Sequence, residues 1–177
     1  ESFPNLYTLR GTKYRDLVKW YKGVDNLLEF AKKSNSFSHS HMRSWVGRDF
    51  IVERIKNYRD AIQYTHDQSI YHMNQGATRE ELVSLISLPE QLKKDPWLQE
   101  FYGSVEHSVR NVYNGYLGWY SGDATELATP NFHRKAKLYV SAMGGIDNVL
   151  KIANEAIDAK DYGWAMEILT HVVRANP

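Results

Sequence analysis

The strongest constraint on this chain is an apolar stripe that begins just after Gly47 and runs for more than twenty residues. Phe50, Ile51, Ile55, Tyr58, Ile62, Ile70 and Met73 recur at helical spacing, and the run ends at Asn74-Gln75-Gly76. Spacing of this kind predicts one long amphipathic helix with a clear stop signal. A helix carrying such a stripe needs apolar partners, from other helices of the chain or from a second chain.

The rest of the sequence supplies helical partners. Thr78-Arg79-Glu80-Glu81 reads as a capping box that opens a short helix to about Ser87. Pro89 and Pro96 interrupt the stretch after it. Ser104 starts another helix, with Val105, Val109, Val112, Tyr113 and Tyr116 on one face, and Ser121-Gly122-Asp123 is expected to end it. Thr129-Pro130 has the order of a cap and first-turn proline, predicting a further helix up to Gly144-Gly145. From Gly145 to Pro177 two helices are expected, parted near Lys160-Asp161. Val149, Ile152, Ala153, Ala156, Ala165 and Leu169 have the small-residue spacing of a tetratricopeptide-like hairpin. One hairpin cannot bury its own outer face, so it must stack on the preceding helices or on another chain.

Before Gly47 the character is mixed. Residues 4–11 alternate in a way that predicts a short strand and turn. Leu17, Trp20, Val24, Leu27 and Leu28 predict a helix over about 14–33, and the Ser- and His-rich stretch 34–45 reads as a loop or weak strand. The fold class expected is therefore mainly α, with a short α/β piece in front and a boundary near residues 46–48.

Several function classes are disfavoured at once. There is no cysteine, which excludes disulfide scaffolds, thiol nucleophiles and cysteine-based zinc sites. Lys and Arg number 22 against 21 Asp and Glu, a net charge of +1, so nothing points to nucleic acid as partner. No apolar run approaches the ~20 residues that a membrane span needs. The first residues, Glu1-Ser2-Phe3-Pro4, lack an initiator methionine, and Pro177 falls where a helical repeat would hand over to the next helix, so the chain reads as a segment of something longer.

The chemistry-bearing candidates are few. His39 and His41 form an H-x-H pair that a strand would point to one side; taken alone, a structural or solvated role stands first. Arg10 and Arg15 flank a turn and a helix start, where guanidinium groups can grip an oxyanion, although Arg15 could equally pair with Asp16 or Asp25. Tyr113, Tyr116, Trp119 and Tyr120 make a dense aromatic group that could line a pocket or simply pack. His66-Asp67 reads as a local hydrogen-bonded pair.

Taken in series, these segments resemble the bacterial alkyl sulfatases, the dodecyl sulfate hydrolases. The resemblance is carried by Phe3-Pro4-Asn5-Leu6-Tyr7-Thr8-Leu9-Arg10-Gly11-Thr12 with Arg15-Asp16, by Tyr64-Thr65-His66-Asp67-Gln68 and Asn74-Gln75-Gly76, and by Leu88-Pro89. It continues through Tyr102-Gly103-Ser104-Val105, Val109-Arg110, Val112-Tyr113 and Gly118-Trp119-Tyr120-Ser121-Gly122 to Ala142-Met143-Gly144-Gly145 and Asp161-Tyr162-Gly163-Trp164-Ala165. It implies that residues 1–47 end a metallo-β-lactamase-like catalytic domain and that 48–177 belong to an all-α dimerisation domain. It further implies a homodimer and hydrolysis of an alkyl sulfate ester at two zinc ions, which bring the pKa of bound water toward ~7. By the same resemblance Arg10 and Arg15 bind the sulfate, Tyr113 reaches the sulfate pocket from the helical domain, and His41 is the last zinc ligand. The family's His-x-His-x-Asp-His motif is not in the chain. A catalytic zinc needs about three protein ligands, so the segment by itself is expected to be inactive. The rival expectation is a non-catalytic helical module that binds another protein through its tetratricopeptide-like hairpin.

Overall fold

The computed structural model describes residues 2–7, 13–40 and 43–175. It is mainly helical, as the periodicity requires, and its contacts divide the chain into two compact units, one up to Gly122 and one from Asp123.

In the first unit, helix α1 (Leu17–Ala31) is capped by Asp16, whose side chain accepts from the Lys19 amide. A two-stranded antiparallel sheet follows, β1 (Ser36–Phe37) against β2 (Trp45–Val46), with Phe37 opposite Trp45. The long helix α2 (Arg48–Met73) begins and ends where the sequence places it. It packs against α1, and the two bury Val24, Leu28, Ala31, Ile51 and Ile55 in one cluster. Thr65 and Ser69 are fully buried on α2; their hydroxyls donate to the carbonyls of Ala61 and Thr65, at 2.8 and 2.6 Å, so neither is left unsatisfied. α1 and α2 lie on either side of the boundary expected near residues 46–48, and within this chain they share one core.

Helix α3 (Arg79–Leu85) carries the capping box: Glu81 accepts from the Thr78 amide at 2.7 Å while Thr78 accepts from the Glu81 amide. A single turn, α4 (Glu90–Lys93), follows Pro89. Ser104 caps α5 (Val105–Leu117) as predicted, yet α5 ends at Gly118 rather than at 121–123. Gly118 has φ 89°, which glycine adopts without a Cβ penalty, and that local stop acts before the later Ser-Gly-Asp is reached.

Residues 4–7 are irregular where the alternation over 4–11 predicts a strand, and among the described residues no strand pairs with them. They are held instead by packing. Phe3 and Leu6 are buried in the main cluster with Leu17, Ile62, Leu82 and Val109, and the Phe3 amide donates to the Gln99 carbonyl at 2.8 Å. Gly103 lets the two segments touch, since a Cβ there would lie 2.7 Å from the Pro4 carbonyl oxygen.

In the second unit a 3-10 turn (Ala124–Glu126) leads to α6 (Phe132–Ala142). Its cap is Asn131, whose side chain accepts from the His133 and Arg134 amides, and not Thr129; Pro130 therefore precedes the helix instead of opening it. Helices α7 (Ile146–Asp158) and α8 (Tyr162–Ala175) form the expected hairpin, with Val149, Ala153, Ala156 and Ala165 buried where close approach demands small side chains. Lys160, at φ 61°, makes the turn between them. The hairpin stacks on a preceding helix, α6 against α8. No helix among the described residues is long and apolar enough to cross a membrane.

Candidate functional site

Arg15 sits one residue before the cap of α1, and its position follows from the N-terminal segment. Its Nη1 donates to the Asn5 carbonyl, and its guanidinium lies 5.9 Å from the centre of the Trp20 ring, one helical turn on. It pairs with neither carboxylate that the sequence offers. Asp16 takes Lys19 at 3.4 Å and Asp25 takes Arg59 at 3.2 Å, so Arg15 keeps donors for a ligand. With Asp16, Lys19 and Trp20 it lines a shallow open groove.

Trp20 also walls a neighbouring cavity of about 740 Å³. This one is mostly apolar. Phe37, Trp45, Tyr58, Trp97 and Leu98 line it, and the rings interlock: Trp45 meets Trp97 edge-on at 5.8 Å, and Trp20 meets Tyr58 at 6.3 Å. Phe50, expected in the core, is 37% exposed and packs instead against Trp45 and Trp97 at 6.0 and 5.6 Å. The arrangement places a cation beside an aromatic cavity, which suits a ligand with an anionic head and an apolar tail.

Tyr58, in the cavity wall, is partly buried. Burial pushes its hydroxyl up to about 12, with the Arg15 charge pulling the other way. Because the folded value exceeds the ordinary 10.0, the stability that this tyrosine contributes is full below pH 10 and is lost as the pH rises to 12. Tyrosinate absorbance against pH should therefore show a late-titrating group that Tyr58→Phe removes. The Tyr14 hydroxyl is likewise pushed up to about 12, by burial first and then by Tyr116 and Asp16, and burial also raises that of Tyr21, so the variant should retain late-titrating groups. Titration of every tyrosine near 10 would contradict this wall.

The remaining sequence candidates are distributed unevenly. Arg10 and His41 lie outside the described residues. Tyr113 is 8% exposed, in the cluster that holds Phe3 and Leu6. Two residues earlier on α5, Asn111 donates to the Leu6 carbonyl at 3.2 Å. Arg15 and Asn111 thus both bond the short N-terminal segment, at Asn5 and Leu6, while Tyr113 lies in the core cluster that this segment joins. The other aromatics disperse. Tyr116 shares a 2.9 Å hydrogen bond with His66 Nε2, and Trp119 is 65% exposed. His66 completes its bonding through Nδ1 to Asp67 at 2.7 Å, the local pair that the sequence suggests.

His39 packs in the aromatic layer, 4.8 Å from Trp45 and 5.4 Å from Phe37, and lines the cavity with Ser40. Its Nδ1 lies 3.0 Å from the Ser40 carbonyl, which leaves Nε2 buried without a partner. One imidazole does not make a metal site, and among the described residues no group of three His, Asp or Glu side chains could hold an ion. A zinc site is therefore not built by the described residues alone.

A buried polar cluster that the sequence gives no sign of supports the cavity from behind. Arg54, itself a cavity residue, pairs with Asp95, which is 5% exposed. Asn57 donates to the other Asp95 oxygen at 2.6 Å, and the Trp97 amide donates to Asp95 at 2.9 Å. Asp95 thereby holds Trp97 in the wall. Asp95 precedes Pro96, and a turn aspartate before proline is too common a pattern to signal burial.

Comparison with known proteins gives a consistent set. The family profile described as alkyl sulfatase dimerisation matches residues 78–177. A linear primary-alkylsulfatase from a Pseudomonas species is 40% identical over 176 residues, which is 99% of this chain and 33% of that protein. An alkyl/aryl-sulfatase of Saccharomyces cerevisiae is 32% identical over 98% of this chain and 27% of its own length. The solved structure of the stereoselective inverting sec-alkylsulfatase Pisa1 from Pseudomonas superposes with a TM-score of 0.93 at 32% identity, covering 99% of this chain and 28% of that one. The chain thus spans a third or less of the length of these relatives.

Proposed function

Because the chain belongs to the alkyl sulfatase dimerisation family, we propose that it is one segment of a zinc-dependent alkyl sulfatase that hydrolyses alkyl sulfate esters to alcohol and sulfate. The observation that carries this reading is the Arg15 guanidinium beside Trp20, a wall of the aromatic cavity. A sulfate monoester with an aliphatic chain needs that pairing of a bidentate cation and an apolar lining.

In this reading Arg10 and Arg15 bind the sulfate, and Tyr113 reaches the sulfate pocket from the helical domain. His41 supplies one zinc ligand, and the other ligands come from polypeptide outside residues 1–177. Residues 1–47 belong to a metallo-β-lactamase-like catalytic domain, and the helices after them supply the contacts of a homodimer. The isolated segment is inactive because it lacks most of the metal ligands.

The test is made on the full-length parent. It should release inorganic sulfate from dodecyl sulfate, lose that activity on chelation and regain it with zinc. Failure to release sulfate would overturn the reading in favour of a helical interaction module. Turnover that survives exhaustive chelation would remove zinc from it. Light scattering should return twice the protomer mass at micromolar concentration, and a monomeric parent would refute the dimer.

A further inference from the structure

In the unit from Asp123 two adjoining cavities differ in character. One, of about 260 Å³, is lined by Lys135 of α6 and by Glu167, His171 and Arg174 of α8. The other, of about 450 Å³, is mostly apolar, with Ala124, Ala128 and Leu138 in its wall. They share Pro130, Lys135 and Tyr139, so the two spaces lie side by side.

Among the described residues neither Lys135 nor Arg174 makes an ion pair; Lys135 lies over the Tyr139 ring at 6.0 Å and Arg174 over Phe132 at 4.5 Å. Asp123 feels the Lys135 charge but does not line either cavity. His171 stacks on Tyr139 at 4.4 Å, and its Nδ1 is buried with no hydrogen-bond partner. Buried ring nitrogens are ordinarily satisfied, so this one marks a place where a partner atom belongs. Leu138 and Phe132, at 53% and 52% exposed, leave apolar surface open beside these charges.

We propose that this unit carries a binding site for a single-chain anionic amphiphile, its head held by Lys135, His171 and Arg174 and its tail lying along Tyr139, Leu138 and Pro130. The head accepts charge-assisted hydrogen bonds from the ammonium and guanidinium groups, and the imidazole adds a further one. Glu167, the one carboxylate in the lining, keeps the local positive charge small. That balance suits a monoanion, a sulfate monoester or a carboxylate, rather than a dianion. The site stands on its own residues and does not depend on the Arg15 cavity.

The test uses the 177-residue chain and reads the ring signals of His171 by nuclear magnetic resonance, assigned with His171→Gln, so that binding elsewhere is not counted. Octyl sulfate and octanoate, below their micelle concentrations, should saturate these shifts and compete with each other. Both should bind about tenfold or more tighter than inorganic sulfate or octanol. Whichever of the two binds more tightly identifies the preferred head, and either order supports the site. Lys135→Met with Arg174→Gln should weaken both by about tenfold or more with helicity unchanged. Leu138→Ser, on an exposed position, should weaken the amphiphiles and leave inorganic sulfate alone. Unperturbed His171 signals, octanol or inorganic sulfate binding as tightly as octyl sulfate, or full affinity in the double variant would each overturn the proposal.

Discussion

Arg15→Ala in the full-length parent should lower turnover of a linear alkyl sulfate by about 100- to 1,000-fold, the usual loss when one preorganised group that stabilises developing charge is removed. The structure gives reasons to expect the upper part of that range. Arg15 is held by the Asn5 carbonyl and by Trp20, and no carboxylate competes for it among the described residues. Its geometry is therefore set before a ligand arrives. Arg15→Lys keeps the charge but loses the planar fork, and should recover only part of the rate. Arg10→Ala should behave like Arg15→Ala if the two grip one sulfate. The assay is steady-state sulfate release, alongside circular dichroism and light scattering to show that the variants remain folded and dimeric. Turnover within a few-fold of the unsubstituted parent for both alanine variants would remove the arginines from the sulfate pocket.

Asp95→Ala should cost about 3–5 kcal/mol of stability, because it leaves the Arg54 guanidinium buried without its counter-ion. Glu53 also bonds Arg54, but its side chain is 61% exposed and cannot replace a carboxylate that is 3% exposed. The Asn57 amide and the Trp97 backbone N–H lose their acceptor in the same substitution. Urea unfolding measures the loss. Arg54→Met combined with Asp95→Leu should be much less destabilised than Asp95→Ala alone, since the buried charge goes with its partner. A loss under about 1 kcal/mol for Asp95→Ala would mean that Arg54 finds water or another acceptor. Because Asp95 fixes Trp97, the same variant should also loosen the aromatic cavity, and Trp fluorescence offers a second readout.

The helical class, the bounds of α2, the Thr78 capping box, the Ser104 cap and the α7–α8 hairpin were legible in the sequence. Each is set within a few residues, by periodicity or by a side chain reaching its own backbone, so no distant partner is needed to find it. The family was legible too, through motifs in series, and the profile over 78–177 bears it out. The local signals failed where two of them competed. Gly118 ended α5 before Ser121-Gly122, and Asn131 displaced Thr129 as the cap of α6.

What only the tertiary structure decided is which groups meet. Sequence offered Arg15 the nearby Asp16 and Asp25, and packing gave it Asn5 and Trp20 instead. Nothing local foretells that Asp95 lies buried against Arg54, 41 residues away, or that Asn111 reaches Leu6 across 105. Those pairings arise when α2, α5 and the N-terminal segment close around one core, and they bring the cation and the aromatic rings to the same place. Charge pairing and burial depend on distances through space, which a one-dimensional pattern does not contain.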